Sequence, residues 1–273
     1  MAYKRILTLQ DISCVGQCSM TVALPILSAC GHETCILPTA LLSTHTGGFR
    51  KPVVVHMSDA LEGMWKHWKE NDISFDAILV GYLGSATAIE IAEQILSEML
   101  APGGVSIVDP AMADHGKLYS GFDDNYAQAM ERLCRKADII IPNITEAAMF
   151  ARMPYQASLD EGYVRQLLEK IGHPCVVLTG VGYHEGETGA AIFRDGAVEY
   201  YIHPRTDRNF HGTGDMFAAS FTGALMQEKT LMESVKIAAD FVCKAIENTC
   251  AEPAHWYGVK FETALPDLIR WLN

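Results

Sequence analysis

Short apolar runs of strand type alternate with helical stretches along most of the chain. Continuous runs of Val, Ile and Leu are typical of parallel strands that are covered on both faces. The Asp195-Gly196 pair between runs 190–194 and 197–202 predicts a β-hairpin. The other predicted strands are 5–10, 34–38, 77–81, 105–108, 138–141 and 175–178. We therefore expect a single α/β domain, 1–273, with a mostly parallel central sheet and an edge hairpin.

Helix boundaries follow from capping residues and from the spacing of apolar positions. Ser58 and Ser85 precede stretches with helical periodicity, so we expect both to be N-caps. Thr145 opens a short helix, and Pro25 is expected to bend the first helix. The segment 41–50 is rich in Ser, Thr, His and Gly and is expected to be a loop. The longer predicted helices are 19–30, 58–71, 85–100, 126–134, 159–171, 216–225, 231–247 and 261–272.

The stretch 209–220 carries the main functional signal of the sequence. Gly212, Thr213, Gly214 and Asp215 lie directly before an apolar helix. Glycine lets a ligand approach the backbone closely, and the free N–H groups of a helix N-terminus bind anions. A carboxylate in the first turn, beside a phosphate, is placed to accept a proton from an attacking hydroxyl group. The segment indicates phosphoryl transfer, and its alternative interpretation is a loop with an aspartate cap.

Polar residues and glycines follow the predicted strands at their carboxyl ends, where ligands bind in parallel sheets. Asp109 either caps the next turn or holds Mg²⁺. Asn143 and Glu146 either start a helix or orient phosphates and metal-bound water. Thr179 either turns the chain or lets a nucleotide lie against the backbone. These rim residues are Asp11, Gly81, Tyr82, Asp109, Asn143, Thr179 and Gly180.

Composition and charge restrict the class of partner. The net charge of −12 argues against nucleic acid or an anionic membrane surface, but not against ATP held by amides and Mg²⁺. The eight cysteines are irregularly spaced without a C-x-x-C pair, so we expect reduced thiols rather than disulfides or zinc. The N-terminal apolar run 6–9 is too short for a signal sequence or a membrane span. We therefore expect a cytoplasmic protein that binds neither nucleic acid nor membrane.

Other motifs for phosphate binding or hydrolysis are missing from the sequence. It has no G-x-x-x-x-G-K-[ST] P-loop and no protein-kinase motif set. Gly180-Val181-Gly182 and Gly47-Gly48 lack the order of strand, G-x-G-x-x-G and helix that marks a dinucleotide site. The sequence also lacks the G-x-S-x-G elbow that is typical of hydrolysis by a Ser-His-Asp triad.

Five segments, taken in order and at their spacing, match a known family. Four of them are Gly81-Tyr82-Leu83-Gly84-Ser85, Asp109-Pro110-Ala111-Met112, Pro142-Asn143-Ile144-Thr145-Glu146 and Gly212-Thr213-Gly214-Asp215. The fifth is Ser43-Thr44-His45-Thr46-Gly47. Together they resemble the ribokinase-like superfamily and, within it, the pyridoxal (vitamin B6) kinases. The resemblance spans essentially the whole chain and implies a ribokinase-like three-layer α/β/α sandwich.

The resemblance also implies a reaction, namely ATP-dependent phosphorylation of the 5′-hydroxyl of pyridoxal, pyridoxine or pyridoxamine. Asp215 would be the base, and residues 212–214 would hold the transferring phosphate. The implied co-substrate is ATP with Mg²⁺, and a monovalent cation such as K⁺ is compatible with the family. The related kinases form homodimers, so we expect a homodimer, with the edge near 41–55 as its apolar surface.

Further site residues are assigned by the same resemblance. Asp109 and Glu146 would serve Mg²⁺ and phosphate, with Asn143 supporting them. Thr179 would lie by the nucleotide. The pyridine pocket would be lined by Asp11, Thr46, Gly47 and Tyr82. The loop 112–121 would help to cover the site.

The sequence departs from the family after the first strand. Typical members carry a serine followed by histidine there, whereas this chain has Asp11-Ile12. We hypothesise that a carboxylate at this position shifts the preference among B6 forms towards pyridoxamine; the alternative is a solvated aspartate at the start of a loop. Two other functions stay open: a hydroxymethylpyrimidine kinase of the same superfamily, and a nucleotide-binding regulator that has lost catalysis.

Overall fold

A central sheet organises the computed structural model, which describes residues 3–206, 208, 210–252 and 254–273. Within these residues nine strands form one sheet in the order β11-β10-β9-β8-β5-β4-β1-β2-β3, and β6 and β7 form a small separate hairpin. The six strands from β9 to β2 pair in parallel, while β3, β10 and β11 are antiparallel. The strands are β1 Arg5–Ser13, β2 Glu33–Leu42, β3 Val54–His56, β4 Phe75–Val80, β5 Leu100–Val108, β6 Ala113–Asp114, β7 Lys117–Leu118, β8 Ile139–Ile140, β9 Cys175–Thr179, β10 Glu187–Arg194 and β11 Ala197–Pro204.

Helices cover both faces of the sheet. One apolar core contains residues of α2 to α6, and a second contains residues of α1, α7, α8 and α9. Strand β4 alternates between them, because Ile78 and Val80 enter the first core while Ala77 and Leu79 enter the second. The helices are α1 Met20–Ala29, α2 Ser58–Glu70, α3 Ala86–Glu98, α4 Asp124–Cys134, α5 Ile144–Phe150, α6 Glu161–Ile171, α7 Thr213–Met226, α8 Leu231–Cys250 and α9 Leu265–Leu272. The predicted three-layer α/β/α architecture with an edge hairpin is therefore confirmed.

Several predicted boundaries are confirmed. The hairpin turns at Asp195 and Gly196, which both have positive φ. Ser85 is the N-cap of α3, and its side chain accepts a hydrogen bond from the Ala88 N–H. In the part of the chain that the structure describes, no helix has the length and apolar character needed to cross a membrane.

Other boundaries were predicted wrongly. Ser58 is the first residue of α2 rather than its cap, because Met57 occupies the N-cap position. Leu41 and Leu42 lie in β2 and not in a loop. The first strand continues past Gln10 to Ser13, so that Asp11 is inside it. Asn209, the first residue of the predicted functional stretch, lies outside the described residues.

The order of the strands defines where a ligand can enter. From β1 the chain moves to β2 on one side and later returns to β4 on the other, so the strand order reverses between β1 and β4. Such a switch point opens a crevice at the carboxyl ends of the strands. The crevice is bordered by Asp11 at the end of β1 and by Gly81 and Tyr82 after β4. A register shift opposite Asp11 gives β2 one extra residue there.

Candidate active site

The N-terminus of α7 is an open anion-binding end. Gly212 is its N-cap and has a left-handed backbone with φ of 83°. A Cβ atom added to Gly212 would lie 2.3 Å from the carbonyl oxygen of Gln17, so only glycine allows this close approach. No side chain among the described residues caps the first turn. The amides of Thr213 and Gly214 therefore lie in the unpaired first turn, where an anion is stabilised.

Asp215 lies in the first turn of the same helix. Its Oδ2 accepts a hydrogen bond of 2.8 Å from the backbone N–H of Ser19, which itself has a positive φ of 52°. Burial raises the pKa of Asp215 to about 7; the Ser19 N–H lowers it and the charge of Asp11 raises it further. A carboxylate with this pKa can take up and release a proton near neutral pH, as a general base requires.

Asp109 follows β5 and faces the same helix end. Its backbone N–H donates to Val80 O at 2.9 Å, and its Oδ1 accepts from the Ala111 N–H at 3.1 Å. A Cβ atom added to Gly214 would lie 3.8 Å from Asp109 Oδ2. The pKa of Asp109 is raised well above its usual value by burial and by the charges of Glu146 and Asp215. The predicted grouping of Asp109 with the α7 loop is therefore observed.

Glu146 and Asn143 form a capping box at the start of α5. The Asn143 side chain accepts from the Glu146 N–H, and Glu146 Oε2 accepts from the Asn143 N–H at 2.9 Å. Glu146 Oε1 also accepts the N–H groups of Met112 and Ala113, at 2.8 and 3.3 Å. Burial raises the pKa of Glu146 to about 7. The interpretation of this pair as a helix start is confirmed. The charge of Glu146 also acts on Asp109, while a role towards phosphate or metal-bound water stays a prediction.

Thr179 lies at the end of β9, beside this helix cap. Its N–H donates to Pro142 O at 2.9 Å, and it pairs with Asn143 in an isolated parallel bridge. Gly180 follows with φ of 79° and turns the chain away from the rim. Thr179, Asn143 and Asp109 therefore occupy successive positions along one edge of the sheet, as predicted.

Asp11 is buried at the switch point. It is only 3% exposed, so the alternative of a solvated loop aspartate is wrong. Its Oδ2 accepts from Ser13 Oγ at 2.9 Å. Tyr82 is half-buried, and its pKa is raised by burial and by the charge of Asp11. The Tyr82 ring stacks on Phe122 with centroids 5.5 Å apart. The assignment of Asp11 and Tyr82 to a pyridine pocket stays a prediction.

The segment 43–50 is held next to α7 by two histidines. Gly47 donates its N–H to His45 Nδ1 at 3.0 Å, and the His45 and His211 rings are 5.0 Å apart. A Cβ atom added to Gly47 would lie 2.6 Å from His211 Cε1. Thr46 is exposed on this loop. The sequence analysis missed His211 and Ser19, since neither belongs to a motif that reveals contact with a distant loop.

The carboxylates fit Mg²⁺ only in combination with a nucleotide. Among the described residues, no three His, Cys, Asp or Glu side chains are grouped so that they could hold a metal ion alone. The Glu146 carboxylate already accepts hydrogen bonds from three backbone N–H groups, whereas the Asp109 carboxylate accepts one. Mg²⁺ commonly takes one or two carboxylates and completes its shell with phosphate and water. Asp109 fits such a direct or water-mediated role, and Glu146 Oε2 retains a lone pair for metal-bound water.

Comparison with known proteins identifies the family. A family model described as phosphomethylpyrimidine kinase matches residues 24–258. The chain belongs to the phosphomethylpyrimidine kinase family. The match includes the rim residues from Tyr82 to Asp215, whereas Asp11 lies before it.

Similar proteins of this family carry pyrimidine and pyridine names. A hydroxymethylpyrimidine/phosphomethylpyrimidine kinase of Bacillus subtilis is 30% identical over 65% of this chain and 66% of that enzyme. The crystal structure of pyridoxal kinase from Lactobacillus plantarum has a TM-score of 0.90 and 33% identity, covering 98% of this chain and 97% of that one. A putative phosphomethylpyrimidine kinase from Bacteroides thetaiotaomicron, crystallised with pyridoxal, has a TM-score of 0.90 and 31% identity, with 97% and 95% covered.

These relatives confirm the resemblance to ribokinase-like kinases of the pyridoxal and pyrimidine type. They do not choose between the two substrates. The chain matches 30% to 45% of the length of three further relatives, which are multifunctional thiamine-biosynthesis proteins.

Proposed function

We propose that the protein transfers a phosphate from ATP to the 5′-hydroxyl of a vitamin B6 form, in B6 salvage. The observation that carries this proposal is the position of Asp215. A carboxylate with a pKa of about 7 lies in the first turn of α7, directly after the open amides of 212–214 and near Asp109. A base, an anion site and a second carboxylate at one helix end match what phosphoryl transfer needs.

In the proposed reaction the oxygen of the substrate hydroxyl group attacks the γ-phosphorus of ATP, and Asp215 accepts the proton of that hydroxyl group. The new O–P bond forms while the bond between the γ-phosphorus and the bridging oxygen breaks, and ADP leaves. The Gly212, Thr213 and Gly214 amides stabilise the charge on the transferring phosphoryl group. Ser19 keeps the Asp215 carboxylate oriented through its 2.8 Å hydrogen bond.

The other rim residues would hold the nucleotide. Asp109, with Glu146 through water, would hold Mg²⁺, which would neutralise phosphate charge. Asn143 supports this arrangement through the cap that it shares with Glu146. Thr179 would lie by the nucleotide, and K⁺ is a candidate additional ion.

The runner-up is a hydroxymethylpyrimidine kinase. The family name and the Bacillus subtilis relative favour it, while the Lactobacillus plantarum enzyme and the pyridoxal-bound Bacteroides protein favour a pyridine. Both substrates present a hydroxymethyl group on a flat nitrogen heterocycle, so the same Asp215 chemistry serves either. A regulator without catalysis is disfavoured, because a nucleotide binder needs the amides of α7 but not a base with a tuned pKa.

A coupled kinase assay tests the proposal. Wild-type protein with MgATP is offered pyridoxal, pyridoxine, pyridoxamine and hydroxymethylpyrimidine in parallel, and ADP formation is measured. We expect turnover that depends on a B6 form and falls by about 10²- to 10⁴-fold in Asp215→Ala, while the variant still binds nucleotide. Turnover of the pyrimidine alone would replace the substrate assignment. Absence of turnover with every acceptor would favour the regulator.

We further propose a homodimer that forms at the β3 edge of the sheet. Val53, Val54 and Val55 are 71%, 42% and 51% exposed, and Leu41 of β2 is 40% exposed. An apolar edge strand of this kind is a surface that proteins usually cover. Sedimentation of the wild type and of Val54→Lys tests this: a dimer that becomes a monomer is expected, and a wild-type monomer would contradict it.

A further inference from the structure

Asp11 is a buried carboxylate without a cationic partner. Its Oδ2 accepts a hydrogen bond of 2.9 Å from the uncharged Ser13 Oγ. No lysine, arginine or histidine forms an ion pair with Asp11 in the described part of the chain. At 3% exposure such a group is costly to ionise, and burial raises its pKa. A ligand that brings its own positive or N–H group would therefore be favoured at this position.

Ser19 connects Asp11 to the proposed base. The Ser19 N–H donates to Asp215 Oδ2 at 2.8 Å, and Ser19 forms an isolated antiparallel bridge with Ile12, the residue after Asp11. The charge of Asp11 acts on both Asp215 and Tyr82. Ser19 thus links the strand that carries Asp11 to the proposed base. If the hydroxymethyl group of an acceptor reaches Asp215, the substituent on the neighbouring ring carbon is the one expected to extend towards Asp11, whose charge acts on Asp215.

The possible acceptors differ in that neighbouring substituent. In pyridoxamine the ring carbon next to the one bearing the hydroxymethyl group carries an aminomethyl group, which is an ammonium at neutral pH. In hydroxymethylpyrimidine the same carbon carries an amino group. In pyridoxal it carries an aldehyde and in pyridoxine a second hydroxymethyl group. The nitrogen substituents donate N–H to a carboxylate, and the ammonium of pyridoxamine also neutralises its charge. The second hydroxyl of pyridoxine donates one uncharged O–H, whereas the aldehyde oxygen of pyridoxal donates nothing.

We propose that Asp11 selects acceptors that carry an N–H donor on the ring carbon adjacent to the reacting hydroxymethyl group. The inference rests on the proposed function and refines its substrate class. It explains how one pocket suits both a pyridine and a pyrimidine: the common feature is the nitrogen substituent beside the hydroxymethyl group, not the ring. A hydrogen bond to a charged group contributes about 1.5 to 3 kcal/mol, which corresponds to about a 10- to 100-fold preference.

The test compares kcat/KM for pyridoxamine, pyridoxine, pyridoxal and hydroxymethylpyrimidine in wild type, Asp11→Asn and Asp11→Ser. In the wild type we expect pyridoxamine to exceed pyridoxine and pyridoxal by about tenfold or more, and hydroxymethylpyrimidine to exceed pyridoxal, which has no donor at that carbon. In Asp11→Asn the ratio of pyridoxamine to pyridoxine should fall by about tenfold, because an amide does not neutralise an ammonium. The pyrimidine should lose less, since the Asn oxygen still accepts from a neutral amino group. An unchanged ratio in both variants overturns the inference.

Asp76→Asn is the matched control. Asp76 lies at the start of β4, near the amino ends of the strands and so on the far side of the sheet from the rim. There it accepts a hydrogen bond from the Arg5 N–H at 2.8 Å. It should leave the substrate ratio unchanged. A second measurement covers variants that do not fold: without nucleotide, the wild type should bind pyridoxamine about tenfold more tightly than 4-deoxypyridoxine, which has a methyl group at that carbon.

The two measurements separate this inference from the proposed function. Tighter binding of pyridoxamine without turnover of any acceptor would support the role of Asp11 and contradict the kinase assignment. Equal turnover and equal binding of all four acceptors would support the kinase and overturn the role of Asp11.

Discussion

At the scale of single residues, Asp11 and Asp215 interact through their charges. Because the charge of Asp11 raises the pKa of Asp215, removing this charge should lower that pKa. The deprotonated carboxylate is the active form of the base, so kcat/KM should fall as the pH drops below about 7. In Asp11→Asn we expect the midpoint of this acid limb to move to lower pH. Initial rates from pH 5 to 9, with the best acceptor, measure it.

The coupling to other carboxylates must be separated from this effect. Glu146 also has a pKa of about 7, so the acid limb reports a group of titrating sites. Asp11 is not among the charges that raise the pKa of Glu146 or Asp109, which makes the shift in Asp11→Asn specific to Asp215. A midpoint that stays in place, or rises, would show that Asp215 is not the group that limits activity.

The sequence predicted which residues lie at the rim but not the environment of each. Asp109, Asn143 and Thr179 could be found because each directly follows an apolar run. The burial of Asp11 could not, since the sequence does not reveal that β1 continues past Gln10 to Ser13, with a register shift against β2 at Asp11. The three backbone N–H groups on Glu146 could not be foreseen either, because two of them come from residues more than thirty positions away.

At the scale of elements, the entry into α7 depends on Gly212. Gly212→Ala adds a Cβ atom 2.3 Å from Gln17 O at a position with φ of 83°. The backbone strain costs about 1–2 kcal/mol, and relief of the clash should displace the anion-binding amides. Loss of one such donor typically lowers kcat about 10²- to 10³-fold. We expect a drop of this size in the kinase assay together with a lower melting temperature.

Substitutions at two further glycines distinguish the effect of backbone strain from the effect of a steric clash. Gly186→Ala introduces similar strain, with φ of 80°, but its Cβ atom would meet nothing within 4 Å. It should lower stability without loss of kcat. Gly63→Ala in α2 also meets nothing within 4 Å, and should stabilise the helix by about 0.5–1 kcal/mol. If Gly212→Ala behaves like Gly186→Ala in both assays, the α7 amides do not hold the phosphate.

Strands and helices were predicted correctly where a long apolar run or a clear turn signal marked them in the sequence. The parallel strands and the hairpin at Asp195-Gly196 are examples. Strand β3 was missed because Val54–His56 is short and wholly exposed, so no alternation marks it. The prediction of Ser58 as an N-cap was wrong because capping depends on where the chain turns. The preceding residue, Met57, fills the N-cap position instead.

At the scale of the whole molecule, the site concentrates negative charge in a chain of net charge −12. Asp109, Glu146 and Asp215 all have raised pKa values, which means that burial disfavours their ionised forms. The folded protein therefore holds protons that the unfolded chain releases at lower pH. Each of these carboxylates lowers the free energy of unfolding as the pH rises. His32 and His45 act in the opposite direction, because burial lowers their pKa values.

The contribution of Asp215 can be isolated by comparing the wild type with Asp215→Asn. The folded pKa of about 7 exceeds the ordinary value of 3.8, so ionisation costs stability progressively between about pH 4 and pH 7. The asparagine keeps an acceptor for the Ser19 N–H but carries no charge. Asp215→Asn should therefore be more stable than the wild type above pH 7, on the order of 4 kcal/mol, and should lose this advantage near pH 4.

Chemical unfolding of both proteins at pH 4, 5, 6, 7 and 8, without nucleotide, measures this difference. Asp76→Asn is the opposite control: its partners Arg5 and Lys4 lower the Asp76 pKa, so the substitution should destabilise above pH 4 and matter less in acid. MgATP should stabilise the wild type most at high pH, where the uncompensated carboxylates are ionised. If the advantage of Asp215→Asn does not grow with pH, the pKa of Asp215 is ordinary and the carboxylate is not tuned as a base. If it does grow, the site reduces stability to keep a proton acceptor near neutrality.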